Sequence, residues 1–220
     1  MVDVLCLQGG AEFSSSCATM DQAVLAVAPG PVVVLCSAAA QGREYAQAGA
    51  NAVAYYTGLW ASVTVAPDPR EDLLAAVESI RTAGLLVLPG GSPARLVEAL
   101  VGTPLGAAVA AVPAISGASA GAMVLCATTV LPDIAEHPLV PGCGLVQDSV
   151  VVPHFSGSLR WFEPSDLADL GPRLVLGLPE CSGVVVSDGV FTAVGVRATT
   201  VYERGVRRVV PVGKGWKAEA

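Results

Sequence analysis

An α/β fold with a mostly parallel central sheet, finished by a β-rich antiparallel C-terminal section, is what this sequence predicts. Three observations predict it. The first is a series of short apolar runs, Val2 to Leu7, Val32 to Leu35 and Leu85 to Leu88 among them, with no polar alternation. Strands buried on both faces read this way, because neither face meets water. The second is that helical stretches punctuated by Gly and Pro separate these runs. The third is composition: 53% of residues are hydrophobic and only 5% aromatic, so the apolar content sits in Ala and Val. At 220 residues the chain is long enough for one such domain with a full core and too short for two comfortable ones. No repeat or low-complexity linker marks a boundary, so residues 1–220 are read as one domain.

In order, Val2 to Leu7 reads as a strand delivering a glycine turn, Gln8-Gly9-Gly10-Ala11-Glu12. That turn either cradles a phosphate or simply reverses the chain tightly. Ser14, Ser15 and Ser16 lead into a helical stretch through Val27, which Pro29-Gly30 stops, and Pro31 to Ser37 is the next buried strand. Arg43 to Leu59 reads as a helix, and Ala61 to Ala66 as a strand. Asp68 is the expected cap of a helix that Pro69 starts and Gly84 closes. Leu85 to Leu88 then delivers a second glycine turn, Pro89-Gly90-Gly91-Ser92-Pro93, ahead of a helix from Ala94 to Leu100. Thr128 to Gly144 is rich in Pro and Gly and reads as a long irregular segment. Leu145 to Val152 and Leu174 to Leu178 are strands. The runs Val184 to Val186, Phe191 to Val196, Thr199 to Glu203 and Val206 to Val210, joined by turn residues, predict the antiparallel section.

A net charge of −7 argues against nucleic acid or an anionic membrane as partner, since both need a basic surface. No basic region precedes the N-terminal apolar run, so it does not read as a signal peptide, and no uninterrupted apolar run approaches the ~20 residues that span a bilayer. The six cysteines are scattered without a Cys-x-x-Cys pair, which fits reduced thiols in a cytoplasmic protein and no metal site. Cys126 and Cys181 read most simply as small core residues.

The chemistry centres on Gly117-Ala118-Ser119-Ala120-Gly121. A β-branched run leads in and a helix-permissive run leads out, the layout of a nucleophile elbow with Ser119 at the turn. The Ala120 amide then falls at a helix N-terminus, where an unpaired N–H favours negative charge. Gly91, at the carboxyl end of a strand, can present a second N–H to an oxyanion, although the same turn also reads as a glycine turn before a helix. A serine hydroxyl needs a base and a group that orients the base. His154 comes directly off a strand and is favoured over His137, which lies among prolines. Glu180, Asp133 and Glu136 are the candidate acids.

The pieces Leu88-Pro89-Gly90-Gly91-Ser92-Pro93, Gly117 to Ala122, Pro153-His154-Phe155-Ser156 and Leu176-Gly177-Leu178-Pro179-Glu180 resemble, in order and approximate spacing, the serine peptidase family of dipeptidase E and cyanophycinase. The turn Gly9-Gly10-Ala11-Glu12 is more similar to the cyanophycinase branch. Gly177 to Glu180 and Ala198-Thr199-Thr200-Val201-Tyr202 are more similar to the dipeptidase E branch. The resemblance implies a flavodoxin-like three-layer sandwich related to class I glutamine amidotransferases, with serine in place of their cysteine. It implies that Ser119 attacks, His154 moves the proton, and the amides of Gly91 and Ala120 hold the oxyanion. The third role falls to Glu180 first and to Asp133 as the alternative. Glu12, Arg160 and Trp161 are the candidate substrate-binding residues: Arg160 can pair with a substrate carboxylate, and Trp161 with Phe162 either forms an aromatic wall or packs a loop onto the core; no metal or cofactor is expected. Two departures stand out: Met123 replaces an Asn of dipeptidase E-like sequences, and the basic segment after the histidine is shortened to Ser158-Leu159-Arg160-Trp161-Phe162. Aspartyl specificity is therefore not carried over.

The expected partner is a small peptide or amide substrate, and the sequence allows a homodimer without encoding one. Two other functions use the same residues: an inactive, ligand-binding member of the fold, and an esterase or acyltransferase.

Overall fold

The structure, a computed structural model, describes residues 2–136, 139–157, 174–204 and 206–218. The apolar runs become strands β1 (Val4–Gln8), β2 (Val32–Val34), β3 (Val63–Val65), β4 (Leu85–Leu88) and β5 (Ala114–Ala118). They lie parallel in the order β1-β5-β4-β2-β3. Crossovers among them are helical: α1 (Ala18–Leu25), α2 (Arg43–Gly58), α3 (Leu73–Arg81), α4 (Pro93–Leu100) and α5 (Pro104–Val109). A short helix, α6 (Ala120–Leu125), follows β5.

Strand alternation divides the core in two. Leu5, Leu7, Val33, Leu35, Leu86, Leu88 and Ile115 face one layer, where Ala76, Leu96, Leu105 and Met123 of α3 to α6 meet them. Cys6, Val32, Val34, Leu85 and Val87 face the other, against Met20 of α1 and Tyr45 and Tyr56 of α2. Both faces are dry, which is why the strands carry no alternating polar pattern. The expected three-layer α/β arrangement is present.

The C-terminal section is antiparallel as expected, but it serves two sheets. β10 (Ser182–Ser187), β11 (Val190–Gly195) and β14 (Gly215–Lys217) extend the main sheet beyond β1 to eight strands. β12 (Thr199–Glu203) and β13 (Val206–Val210) join a second sheet in the order β13-β12-β9-β8. Its other members are β8 (Ser149–Val152) and β9 (Leu174–Gly177), which run parallel with Val152 opposite Gly177. Residues that follow β8 and β9 therefore leave one edge side by side.

Three local expectations are corrected. The cap before α3 is Asp72, whose side chain accepts from the Ala75 amide, rather than Asp68. Asp68 instead makes a double contact to Arg70 at 2.7 and 2.8 Å, so Pro69 and Arg70 lie in a loop ahead of the helix. The strand expected over Leu145 to Val152 begins only at Ser149. The segment from Thr128 to Gly144 is not irregular throughout: β6 (Thr128–Val130) and β7 (Leu139–Pro141) pair as an antiparallel ribbon. β-branched Thr128, Thr129 and Val130 supply the strand propensity that the neighbouring prolines masked.

Candidate active site

Ser119 stands between β5 and α6 with φ 50° and ψ −112°. A non-glycine residue held there stores ~1–3 kcal/mol of strain, and the surrounding packing enforces it. A Cβ at Gly121 would lie 2.1 Å from the Leu88 carbonyl oxygen, and one at Gly117 would lie 2.6 Å from the Gly121 backbone. Small residues at the elbow are therefore a requirement of close backbone approach, as the motif implied. The Ser119 amide donates to the Gln8 carbonyl at 2.9 Å, tying the elbow to the end of β1.

Ser119 Oγ lies 3.0 Å from His154 Nε2. His154 Nδ1 lies 3.0 Å from Glu180 Oε1. The juxtaposition follows from the topology: His154 comes two residues after β8, and Glu180 three residues after its parallel neighbour β9. The glycine turn after β1 joins these pieces. Gly9 accepts from the His154 amide at 2.8 Å, and Gly10 accepts from the Cys181 amide at 3.0 Å. The His154 ring lies over Gly10, where a Cβ would be 2.3 Å from Cε1. Gly9-Gly10 is thus the bed on which the imidazole rests.

The second glycine turn also reaches the elbow. A Cβ at Gly90 would lie 3.2 Å from Ser119 Cβ and 2.8 Å from Glu12 Oε1. Glu12 Oε1 accepts the Gly90 amide at 2.7 Å. Gly91, packed on the Ala38 carbonyl at φ 138°, has an N–H that meets no acceptor among the described residues. The Ala120 amide, first in α6, has no intrahelical acceptor either.

Of the other expected residues, Asp133 and Glu136 are exposed in a turn after β6, and neither contacts His154. His137, Arg160, Trp161 and Phe162 lie outside the described residues. Cys126 is a buried core thiol as expected. Cys181 is not: it is half-buried at φ 53° beside Glu180, with its sulfur 3.4 Å from Ser14 Oγ.

Sequence reasoning missed the polar network beneath the elbow. Asp21 is 2% exposed and accepts hydrogen bonds from Gln8 Nε2 and Tyr55 Oη, each at 2.6 Å. Gln8 Nε2 also lies 2.9 Å from Ser116 Oγ on β5. The network links α1, α2, β1 and β5 below Ser119. Burial pushes the Asp21 carboxyl above its ordinary range; the hydrogen bonds from Tyr55 and Gln8 oppose the shift, and the charge of Glu12 adds to it. The only sequence signal was polar Gln8 closing an apolar strand.

No protein-family model matches the sequence, and no curated protein matches it significantly. Solved structures do share its fold. A peptidase from an acI-B1 Actinobacterium superposes with a TM-score of 0.83 at 21% identity, over 99% of this chain and 97% of that one. A Listeria monocytogenes EGD-e protein provisionally named peptidase E superposes with a TM-score of 0.61 at 13% identity, over 89% of this chain and 100% of that one.

Proposed function

We propose that this protein is a serine peptidase, similar to dipeptidase E and cyanophycinase, that hydrolyses a peptide or related amide bond of a small substrate through an acyl-enzyme. The observation that carries the reading is the chain Ser119 Oγ, His154 Nε2, His154 Nδ1, Glu180 Oε1, with both gaps at 3.0 Å. The peptidases that share the fold support it.

In this mechanism Ser119 Oγ attacks the scissile carbonyl while His154 Nε2 takes its proton. Glu180 holds the imidazole with Nδ1 protonated and stabilises the imidazolium. The carbonyl oxygen, now anionic, receives the free N–H groups of Gly91 and Ala120, each worth about 3 kcal/mol in the transition state. The glycine at 90 is no donor, because Glu12 already takes its N–H. His154 then protonates the leaving amine, and a water activated by the same nitrogen releases the acyl group and restores Ser119. Glu12, Arg160 and Trp161 are assigned to substrate binding, and the reaction uses no metal or organic cofactor.

The test is labelling by a fluorophosphonate probe together with hydrolysis of a dipeptide panel. Ser119→Ala is expected to abolish both while the far-UV spectrum and unfolding transition stay native. Near-normal hydrolysis by that variant would overturn the mechanism.

A further inference from the structure

We infer that Cys17 and Cys181 are a modification site: hydrogen peroxide joins them in a reversible disulfide that draws Glu180 away from His154 and slows Ser119. The control of Ser119 rests on the serine peptidase reading above. All six cysteines are free thiols, and no Cys-x-x-Cys spacing announces a pair. The fold makes one nonetheless. Ser14 Oγ lies 3.4 Å from the sulfur of Cys17 and 3.4 Å from that of Cys181, which is 167 residues further along the chain. The Cys17 thiol is pushed up to about 11, by burial first; the hydrogen bond from Ser14 opposes the shift, and the side chain and charge of Cys181, then the charge of Asp21, add to it. Cys181 acts on the Cys17 proton through a side-chain hydrogen bond, so the two thiols are direct neighbours.

Cys17 is the fixed member. It is fully buried, it is the residue ahead of α1, and its sulfur donates to the Ala11 carbonyl at 3.4 Å. The loop before it is held at φ 56° (Ala11) and 64° (Phe13), with the Phe13 ring against those of Tyr55 and Tyr56 at centroid distances of 5.6 and 6.1 Å. Packing of this kind keeps a strained backbone in place. Cys181 is the accessible member, half-buried in the turn after β9. Bonded sulfurs stand ~2.05 Å apart, closer than any non-bonded contact, so the bond pulls that turn toward Cys17. Glu180 is the adjacent residue, and its Oε1 lies 3.0 Å from His154 Nδ1. A displacement of ~1 Å within a catalytic constellation costs up to about 10²-fold in rate.

The oxidation takes two steps. Cys181 Sγ, as the thiolate, attacks one oxygen of hydrogen peroxide; the O–O bond breaks, the departing hydroxide takes up the proton that the thiol released, and Cys181 becomes a sulfenic acid. Cys17 Sγ then attacks Cys181 Sγ. The S–S bond forms, the S–O bond breaks, and the hydroxide leaves with the Cys17 proton as a second water. The two thiols lose two electrons, and one peroxide is reduced to two waters. The charged neighbours are acids, Glu180 beside Cys181 and Asp21 near Cys17, and acids suppress the thiolate. Oxidation is therefore slow and calls for sustained exposure.

The experiment exposes the wild-type protein to hydrogen peroxide, alkylates the remaining thiols and maps the linked peptides by mass. The rate of fluorophosphonate labelling at Ser119 is measured before oxidation, after it, and after dithiothreitol. The expected result is a link from Cys17 to Cys181, labelling slowed roughly 10- to 100-fold, and recovery on reduction. Cys17→Ser keeps a small donor for the Ala11 carbonyl; it is expected to label like the wild type before oxidation and to show no loss that dithiothreitol reverses. Should that buried substitution prevent folding, Cys181→Ser, at the accessible end, carries the same expectation. An oxidised wild type in which the two cysteines do not join would overturn the inference. So would a joined protein that labels at the unoxidised rate, or the same reversible loss in the serine variant. In each of these cases, labelling of the untreated wild type means that the serine hydrolase stands. Absence of labelling in the untreated wild type overturns the serine reading and the control of Ser119 with it, even where the peptide map shows the link.

Discussion

Replacing Gly10 by alanine tests how the imidazole is placed without replacing Ser119, His154 or Glu180. Gly10 sits at φ 122°, which costs an alanine ~1–3 kcal/mol. The added Cβ would stand 2.3 Å from Cε1, 2.8 Å from Nδ1 and 3.0 Å from Nε2 of His154. To restore ordinary van der Waals contact the ring must retreat by ~1 Å, a misplacement that costs catalytic geometry about 10²-fold. The retreat has somewhere to go, because the His154 side chain is 39% exposed. The stability loss is therefore confined to the backbone term, while Nε2 leaves its 3.0 Å contact with Ser119 Oγ. The assay is the second-order rate of fluorophosphonate labelling, with urea unfolding on the same preparation. Labelling about 100-fold slower, in a protein that still unfolds cooperatively, is expected. Gly9→Ala is the contrasting control: its Cβ would lie 2.2 Å from the carbonyl oxygens of Leu178 and Pro179, which are backbone and cannot swing aside. That variant is expected to lose folding first. Wild-type labelling by a folded Gly10→Ala protein would refute the argument that this glycine is the bed of the ring.

Glu180→Gln is expected to lower kcat by about 10²-fold, less than the ~10⁴-fold seen for a buried triad acid, because the Glu180 side chain is 59% exposed and water screens its charge. Asp133→Asn is expected to leave kcat unchanged, and the reverse pattern would move the third role to Asp133. Asp21 gives a pH prediction. Its carboxyl is raised by burial, so between the ordinary aspartate value and the raised one the native state holds a proton that the unfolded chain has released. More protons bound in the native state means that stability falls as pH rises through this window. Asp21→Asn lacks that slope, so its stability relative to wild type should improve in urea unfolding as pH rises above the ordinary aspartate range. A difference independent of pH would count against a raised Asp21.

What the sequence revealed depended on how local each determinant is. Periodicity and turn chemistry are local, and β4 and α4 lie where Leu85 to Leu88 and the Pro89 to Pro93 turn put them. The elbow was legible for the same reason, since Gly117, Ser119 and Gly121 act on one another within five residues. The cap before α3 was misread because two acids, Asp68 and Asp72, both precede the helix, and only the tertiary contact of Asp68 with Arg70 decides between them. The ribbon of β6 and β7 was hidden because a strand pair has no local signature once prolines interrupt it.

The turn after β1 shows where sequence reasoning stops. Gly9-Gly10 offered two meanings, a phosphate cradle or a tight turn, and its geometry is that of neither alone. Its glycines are needed because three separate strands converge there: β1 carries the turn, β8 delivers His154 and β9 delivers Glu180. No spacing within one segment encodes a contact between residue 10 and residue 154. The same holds for Glu12 and Gly90, which lie 78 residues apart and meet only because β1 and β4 both flank β5. In a parallel sheet, residues that follow different strands share one edge, so the site is assembled from turns whose sequences are silent about one another. Glycine is the residue such turns have in common, because each backbone must come within contact distance of the next turn's side chain. A glycine pair at the end of a buried strand therefore marks a place where something packs against the backbone, and the topology decides whether that is a ligand or, as with His154, another part of the chain.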